Sequence, residues 1–404
     1  MGFLTNLYSR VFQAGMYIAC NFLDFSEPEV ISGENKLSII PNLLKTKKKA
    51  NVLIVTDEGI WKIGLIKPLI DALENDHFSY SVYHGVNANP TVDNVEEGLK
   101  LYLDNKCDCL VAVGGGSAMD CCKTIAARAV KPKQPVNKMK GLLKIGKKPA
   151  FMVAVPTTAV TGSETTVAAV IVDKTKGDKY AINDPKLIPP DAILDPTLLV
   201  GLPKHITTTT GMDALTHAIE AFIGHANTKK TYKYGIEATQ LIFKYLEKSA
   251  EEPTNLEYRE KMQIASYKAG VAFTRAYVGT VHALAHSLGG KYNVPHGLAN
   301  AVILPKVLKA FGKKAVKKLA ILADSVGIGE NNSPSIKAKL FIEEIENMNK
   351  RMGITNTFGN LIKDEDLDFL VNHAYKEGVP LYPTPRILSK SELRDIYIEL
   401  QQGK

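Results

Sequence analysis

The chain has 404 residues, of which 45% are hydrophobic and 23% are charged, values that are ordinary for globular proteins. This length allows two or three domains, and this composition excludes a collagen-like or largely disordered chain. The formal net charge of +8 is a small excess for a surface of this size, so it does not indicate a nucleic-acid partner.

Residues 1–24 are predicted to form an N-terminal helical extension. Polar side chains interrupt its apolar residues, unlike the core of a signal peptide, and we expect an amphipathic helix used in packing or oligomerisation. No run reaches the roughly 18 apolar residues that span a bilayer, so the sequence predicts no membrane partner. The five cysteines are odd in number and lack zinc-ribbon or thioredoxin spacing, which favours a reducing, cytoplasmic location.

Residues 25–203 show the rhythm of an α/β domain. Short runs rich in β-branched residues predict strands, and the amphipathic stretches 92–103 and 118–130 are long enough to be crossover helices of a parallel sheet. The predicted strands are 51–55, 80–83, 109–113, 151–155, 167–172 and 192–194. We therefore expect a Rossmann-like parallel sheet with a nucleotide site at its strand ends.

The strand pattern stops near Gly201 and Pro203, where glycine and proline mark a domain boundary. Helical periods follow, among them 208–223, 234–248 and 258–273. Residues 204–404 are therefore predicted to form an all-helical domain after the dinucleotide-binding domain. The expected fold class is α/β plus all-α.

Three glycines and Ser117 connect the predicted strand 109–113 to a helix. Because glycine has no side chain, the backbone amides of Gly115 and Gly116 can approach a phosphate closely, and the helix N-terminus adds a favourable dipole. The turn is neither G-x-G-x-x-G nor a Walker A loop. It predicts a diphosphate site, with a plain strand-to-helix turn as the alternative.

Two further features lie at predicted strand ends. Residues 156–164 follow the strand 151–155 and are dense in hydroxyl groups, which can bind a polar cofactor or simply form turns. Asp57 follows the strand 51–55, where its carboxylate could bind ribose hydroxyls and repel a 2′-phosphate. Its alternative role is to cap a helix at Glu58.

Acidic and histidine residues in the second half have the spacing of a metal site. Asp213 and His217 lie four residues apart, and so do His282 and His286, which places each pair on one helix face. His296 follows within a Pro-His-Gly element. This combination is typical of a divalent transition metal, although spacing does not decide which of the three later histidines bind. No Glu follows the first His, which excludes the H-E-x-x-H site of metalloproteases.

Together these segments resemble the iron-dependent (group III) alcohol dehydrogenase family, which includes lactaldehyde reductase, propanediol dehydrogenase and bacterial butanol dehydrogenases. The resemblance runs from about Asn51 to the C-terminus. It is carried by Gly114-Gly115-Gly116-Ser117 with Asp120 and by the segments 156–164, 211–220 and 282–297.

The resemblance assigns roles to individual residues. It implies that the metal is held by Asp213, His217, His282 and His296, with His286 left near the nicotinamide and substrate as a proton relay. The residues that it implies for the cofactor are Gly115, Gly116 and Ser117 at the pyrophosphate, Thr157 and Thr158, Asn89 and Lys179 nearby, and Asp57 favouring NAD over NADP.

The implied activity is hydride transfer between NAD(H) and a small primary alcohol or aldehyde, with Fe²⁺ or Zn²⁺ as a Lewis acid and a homodimer or larger homo-oligomer as the assembly. One alternative is a polyol dehydrogenase or a metal- and NAD-using lyase of the same superfamily. A non-haem iron oxygenase is disfavoured by the nucleotide-type loops. Another alternative is a catalytically weakened NAD-binding homologue, suggested by Val160, which stands where the family usually has glycine.

Overall fold

The computed structural model describes residues 3–159, 162–175 and 177–402. Strands and helices alternate as far as Leu194, and the later part of the described chain is helical. The described strands are β1 (Glu29–Ser32), β2 (Asn51–Asp57), β3 (Ser79–Val86), β4 (Cys109–Gly114), β5 (Gly141–Leu142), β6 (Phe151–Pro156), β7 (Ala168–Asp173), β8 (Asp178–Asn183) and β9 (Asp191–Leu194). The described α-helices are α1 (Phe3–Cys20), α2 (Ile40–Thr46), α3 (Glu58–Lys62), α4 (Lys67–Asn75), α5 (Val92–Asp104), α6 (Gly116–Ala129), α7 (Lys204–Ile223), α8 (Lys229–Glu251), α9 (Leu256–Ala276), α10 (Thr280–Tyr292), α11 (His296–Phe311), α12 (Lys313–Ser325), α13 (Pro334–Arg351), α14 (Leu367–Gly378) and α15 (Lys390–Gln402).

The main sheet has six strands in the order β1-β9-β6-β4-β2-β3, and all of its paired neighbours are parallel. Every residue of β4 is buried, as expected for a central parallel strand that is covered on both faces. In β4 and β6 the register pairs Gly114 with Pro156, so both strands end at the same sheet edge. This arrangement confirms the predicted Rossmann-like sheet and brings the glycine turn beside the hydroxyl-rich segment.

A second, three-stranded sheet has the order β5-β8-β7. The predicted strand 167–172 is present as β7, and it pairs antiparallel with β8 instead of joining the parallel sheet. This pairing follows from the short connection between β7 and β8, because a parallel crossover needs a dozen or more residues.

The chain divides into two compact units. The sheet unit comprises Leu23–Leu202 and Pro253–Tyr267, and the helical unit comprises Met1–Phe22, Pro203–Glu252 and Lys268–Lys404. The extension predicted at 1–24 thus falls mostly in the helical unit, and residues 253–267, predicted as part of the helical domain, fall in the sheet unit. The division into 1–24, 25–203 and 204–404 remains a prediction about domains.

Within the helical unit α7 packs against α8 and α11, and α10 packs against α11 and α14. Small residues allow these close approaches. Ala218 of α7, Ala238 of α8 and Ala269 of α9 form one buried cluster. At Gly235 of α8, a Cβ would lie only 3.1 Å from the Cβ of Phe222 on α7. The sequence pattern of small and apolar residues therefore brings α7 into the interior of its unit.

The N-terminal helix α1 lies against the helical unit through polar contacts. Gln13 Nε2 donates to the backbone oxygens of Pro380 and Tyr382, at 2.8 and 2.9 Å. The opposite face presents apolar side chains such as Leu4 and Val11, which are 78% and 63% exposed. None of the described helices is both long enough and apolar enough to cross a membrane.

Candidate functional site

The candidate metal-binding residues lie on three helices of the helical unit. Asp213 and His217 are one turn apart on α7, and both side chains are buried. His282 lies in the first turn of α10, and His296 is the first residue of α11, directly after Pro295. Pro295 is the N-cap of α11, and at a helix start the missing N–H of proline costs the helix no internal hydrogen bond.

One potential ligand atom from each of Asp213, His217, His282 and His296 lies within 4.8 Å of the other three. The Nε2 atoms of His282 and His296 lie 3.7 and 3.6 Å from Asp213 Oδ1. The His296 side chain is 40% exposed, whereas the other three side chains are buried. One carboxylate with three imidazoles is a donor set that suits Fe²⁺ or Zn²⁺.

The protonation chemistry of this cluster fits a divalent cation. Oδ2 of Asp213 is buried and has no hydrogen-bond partner among the described residues. Burial raises the pKa of Asp213, whereas burial and the neighbouring histidines lower the pKa of His282 well below its usual range. A buried carboxylate oxygen beside a neutral imidazole suits a cation, because the cation would offset the cost of burying the negative charge.

Asn300 marks the point on which these side chains converge. Its Nδ2 atom lies 2.5 Å from Asp213 Oδ1, 3.2 Å from His282 Nε2 and 3.1 Å from His296 Nε2. An amide nitrogen carries two hydrogens, so it can donate to at most two of these three atoms at once. Asn300 was not predicted from the sequence, although its position one turn after His296 on α11 is a signal that could have identified it.

His286 lies outside the group of four but beside it. Its ring stacks on that of His296, with centroids 5.1 Å apart, and its Nδ1 lies 2.6 Å from Glu377 Oε1. The Tyr382 hydroxyl donates to the same oxygen at 2.8 Å. His286 is therefore held by a carboxylate from α14 and remains partly exposed, which is an arrangement suited to proton exchange.

Three aromatic or apolar side chains of α9, α10 and the segment between them lie in different surroundings. The Phe273 ring stacks on His217, with centroids 4.1 Å apart, and so covers one proposed ligand. Leu284 is fully buried on α10, and the Tyr277 hydroxyl lies 3.4 Å from Cys20 Sγ of α1. Phe273 is thus the aromatic side chain that contacts a proposed ligand directly.

In the sheet unit the glycine turn and the hydroxyl-rich segment lie side by side. The backbone N of Thr157 donates to Gly114 O at 3.1 Å, and a Cβ on Gly115 would lie 3.5 Å from Thr158 Oγ1. Gly115 caps the N-terminus of α6, which begins at Gly116. Backbone amides and the Thr158 hydroxyl thus meet at a helix N-terminus, where anions are bound readily.

Asp57 ends β2 and caps α3, because its Oδ1 accepts from the backbone N of Ile60 at 3.0 Å. This is the alternative role that the sequence left open. It also lies near the glycine turn, since a Cβ at Gly114 would be 3.8 Å from Asp57 Oδ2. The capping role therefore leaves the second carboxylate oxygen directed towards the same region.

Two further predicted cofactor residues contact each other. Lys179 Nζ on β8 donates to Asn89 Oδ1 at 2.9 Å, and burial lowers the pKa of Lys179. Ser117 Oγ donates to the backbone oxygen of Ala88 at 2.5 Å, which ties the loop carrying Asn89 to the N-terminus of α6. Val160, which stands where the family usually has glycine, lies outside the described residues.

Lys123 and Asp120 on α6 hold the segment that follows the hydroxyl-rich loop. Lys123 is fully buried, and its Nζ lies within hydrogen-bond distance of Ser163 Oγ, Thr166 Oγ1 and the backbone oxygens of Thr166 and Ala168, of which it can donate to three at once. Asp120 accepts from Ser163 Oγ and from the backbone N of Val170, each at 3.0 Å. Burial lowers the pKa of Lys123 to about 8. The sequence analysis missed Lys123, although a lysine within the buried face of a crossover helix is an informative exception.

Residues 27–196 match the family described as iron-containing alcohol dehydrogenase, and residues 207–400 match the C-terminal part of the Fe-containing alcohol dehydrogenase family. Alcohol dehydrogenase 4 of Schizosaccharomyces pombe is 36% identical over 359 residues, which cover 87% of this chain and 84% of that protein. NAD-dependent methanol dehydrogenase of Bacillus methanolicus is 34% identical, with 92% of this chain and 98% of that protein covered. A solved structure of 1,3-propanediol oxidoreductase has a TM-score of 0.90 and 33% identity, covering 94% of this chain and 100% of that chain. Because the two family matches together span most of its length, the chain belongs to the iron-containing alcohol dehydrogenase family.

Proposed function

We propose that this protein is an NAD-dependent, metal-dependent alcohol dehydrogenase that interconverts a small primary alcohol and its aldehyde. The observation that carries the proposal is the convergence of four ligand atoms from Asp213, His217, His282 and His296 within 4.8 Å in a member of this family. We assign these four residues to the metal, with Fe²⁺ preferred and Zn²⁺ as the other candidate. When bound, such a cation supplies Lewis acidity that stabilises negative charge on the substrate oxygen.

The glycine turn and the hydroxyl-rich segment are assigned to NAD, which supplies the hydride donor and acceptor when bound. Backbone amides of Gly115 and Gly116 with the Ser117 hydroxyl would bind the pyrophosphate, since they lie at the N-terminus of α6. The neighbouring hydroxyl and polar side chains would hold the rest of the cofactor. Those side chains are Thr157, Thr158, Asn89 and Lys179.

His286 is assigned to proton exchange with the substrate. Because its Nδ1 faces the Glu377 carboxylate at 2.6 Å, that nitrogen donates to Glu377 and Nε2 is the nitrogen we assign to the substrate side. Tyr382 donates to the same Glu377 oxygen and restrains its orientation. These contacts would hold the imidazole so that it can give a proton to the nascent alkoxide or accept one from an alcohol.

The function is tested by metal analysis of anaerobically purified protein together with NADH oxidation against a panel of small aldehydes. We expect stoichiometric iron or zinc and turnover with short-chain aldehydes. Dihydroxyacetone in the same panel, and glycerol with NAD⁺ in the direction of alcohol oxidation, test the polyol alternative. Protein without stoichiometric metal, or NADH binding without turnover of any carbonyl compound, would contradict the proposal.

Changing Asp57 to serine is expected to relax the preference for NADH over NADPH. Serine also caps helices, so α3 should persist, whereas the negative charge that would repel a 2′-phosphate is removed. Two like charges about 4 Å apart near a protein surface repel by about 4 kcal/mol before screening, so we expect the ratio of kcat/KM values to shift by about tenfold or more. Steady-state kinetics with both cofactors measure this ratio.

The exposed neighbour Glu58 offers the matched control for this experiment. Glu58→Gln also removes one negative charge, but its side chain pairs with Lys62 on the surface of α3. This variant should keep the cofactor preference of the parent protein. An unchanged preference in Asp57→Ser, or an equal shift in both variants, would argue against the role assigned to Asp57.

We also propose a cytoplasmic location and a homodimer or larger homo-oligomer. All five cysteines are buried and unpaired, which is consistent with a reducing compartment. The exposed apolar face of α1, which includes Leu4, Val11 and Ile18, is consistent with association. A monomeric mass in light scattering would contradict the second proposal.

A further inference from the structure

Glu220 of α7 makes a set of hydrogen bonds that the proposed function does not use. Its side chain is 1% exposed, and its two oxygens accept from the backbone nitrogens of Gly279 and Val281, at 2.8 and 2.7 Å. Oε2 also lies 2.7 Å from Nδ1 of His282. All three partners belong to the start of α10 or to its N-cap, so one carboxylate on α7 joins that helix to α10.

The contact with His282 determines which ring nitrogen carries the proton. An ionised carboxylate only accepts hydrogen bonds, and both Glu220 oxygens already accept from backbone N–H groups, so we take Nδ1 as the protonated nitrogen of a neutral His282 ring. The lone pair then lies on Nε2, the atom that is 3.7 Å from Asp213 Oδ1. Only a nitrogen with a lone pair can bind a metal, so Glu220 selects the ring form in which His282 faces the other proposed ligands.

The backbone contacts show that the position of Glu220 is itself tightly constrained. The N-cap residue Gly279 provides no side chain to the first turn of α10, and Glu220 accepts from backbone N–H groups there instead. A Cβ at Gly279 would lie 2.7 Å from Glu220 Oε1, which is closer than real Cβ contacts. Glycine at position 279 therefore allows the carboxylate to reach both the helix terminus and the imidazole.

We propose that Glu220 is a positioning residue that fixes the orientation and tautomer of His282 and thereby slows the loss of the metal. This inference rests on the proposed function, because it takes Asp213, His217, His282 and His296 as the ligands. It adds a fifth residue, which acts through His282.

The test is metal release from purified Glu220→Gln protein, followed by capture with a coloured chelator. An amide has one accepting oxygen where the carboxylate has two, so glutamine cannot accept from Val281 N and from His282 Nδ1–H at the same time. In either amide orientation the NH₂ group faces an N–H at the start of α10, which weakens the contacts that orient His282, and with the NH₂ group at Nδ1 the amide favours the tautomer in which Nε2 carries the proton. We expect release about 10- to 100-fold faster than from the parent protein, the range typical of groups that hydrogen-bond a metal-binding histidine.

Tyr397→Phe is the matched control on α10. The Tyr397 hydroxyl donates to Leu284 O at 3.0 Å, so this variant also removes one buried hydrogen bond to the same helix. It leaves the Glu220–His282 pair unchanged, and we expect it to release metal at the parent rate. Equal release rates for Glu220→Gln and the parent protein would overturn the proposal.

A second measurement does not depend on metal or on the variant. In parent protein that is labelled with ¹⁵N-histidine and freed of metal with a chelator, NMR should show His282 as the Nδ1–H tautomer. An Nε2–H tautomer in this metal-free protein would overturn the role of Glu220. Conversely, protein that is purified without metal but shows the Nδ1–H tautomer would refute the proposed function and leave the positioning by Glu220 supported.

Discussion

Replacing Asp213 by asparagine is expected to remove the bound metal and, with it, the reduction of aldehydes. The substitution keeps the shape of a fully buried side chain that contacts Asn300 through Oδ1. It removes the only negative charge in the proposed ligand set, whose other members are imidazoles. The loss in kcat/KM should exceed the roughly 10- to 100-fold that is typical for groups acting behind a ligand. Metal content per chain and kinetics with NADH and an aldehyde measure the effect.

Thermal unfolding distinguishes loss of the metal from loss of the fold. A cation that binds only the folded protein raises its Tm, so added metal should stabilise the parent protein and not Asp213→Asn. Thr216→Val is the control on the same helix, because Thr216 is buried and its hydroxyl donates to Met212 O at 2.9 Å. That control should keep its metal. Normal metal content and activity in Asp213→Asn would refute the assignment of the ligand.

Adding one methyl group at Gly297 is the second change for which we expect a large effect. A Cβ at this position would lie 2.5 Å from the backbone oxygen of Thr209. The obstacle is backbone, so no side chain can rotate away, and α11 must move from α7. His296 adjoins Gly297, and its Nε2 lies 3.6 Å from Asp213 Oδ1, so this movement separates proposed ligands on the two helices.

Overpacking of this kind costs about 1–3 kcal/mol, which for a protein of this size lowers the Tm by several degrees. Because about 1.4 kcal/mol corresponds to a factor of ten, we also expect metal affinity to fall about tenfold or more. Calorimetry and metal titration measure the two effects.

Gly290→Ala is the control for the added methyl group. Gly290 lies on α10, and a Cβ there would meet no heavy atom within 4 Å. Alanine is favoured over glycine inside a helix by about 0.5–1 kcal/mol, so this variant should be at least as stable as the parent protein. If Gly297→Ala behaved like Gly290→Ala in both measurements, the close contact between α7 and α11 would not determine the site.

The central strands could be predicted from the sequence because a strand that is buried on both faces consists almost entirely of apolar residues. β2, β4 and β6 begin at the predicted residues Asn51, Cys109 and Phe151, since buried parallel strands are continuous apolar runs. β1 and β8 were missed because polar residues interrupt their apolar pattern. Their strand conformation depends on pairing, for β1 with the distant strand β9 and for β8 with the preceding strand β7.

Only part of the candidate site could be predicted from the sequence. Helical spacing predicted that Asp213 and His217 share one face, as do His282 and His286. Spacing did not choose among the three later histidines, and that choice came from the family resemblance. Asn300 and Glu220 received no role, because their contacts depend on how α10 and α11 pack against α7.

Local order in the amino-acid sequence was enough to determine the alternation of strands and helices, the separate helical half and the family. Short-range periodicity carries the first two, because each pattern reflects which side of one element faces the interior, whereas the family came from the resemblance of segments such as 211–220 and 282–297. Tertiary structure alone decided that Glu220 reaches His282, that Asn300 contacts three proposed ligands and that Lys123 holds the loop after β6. Apart from the contact between Asn300 and His296, these contacts join residues far apart in the chain, and such residues meet only when the helices and strands have packed.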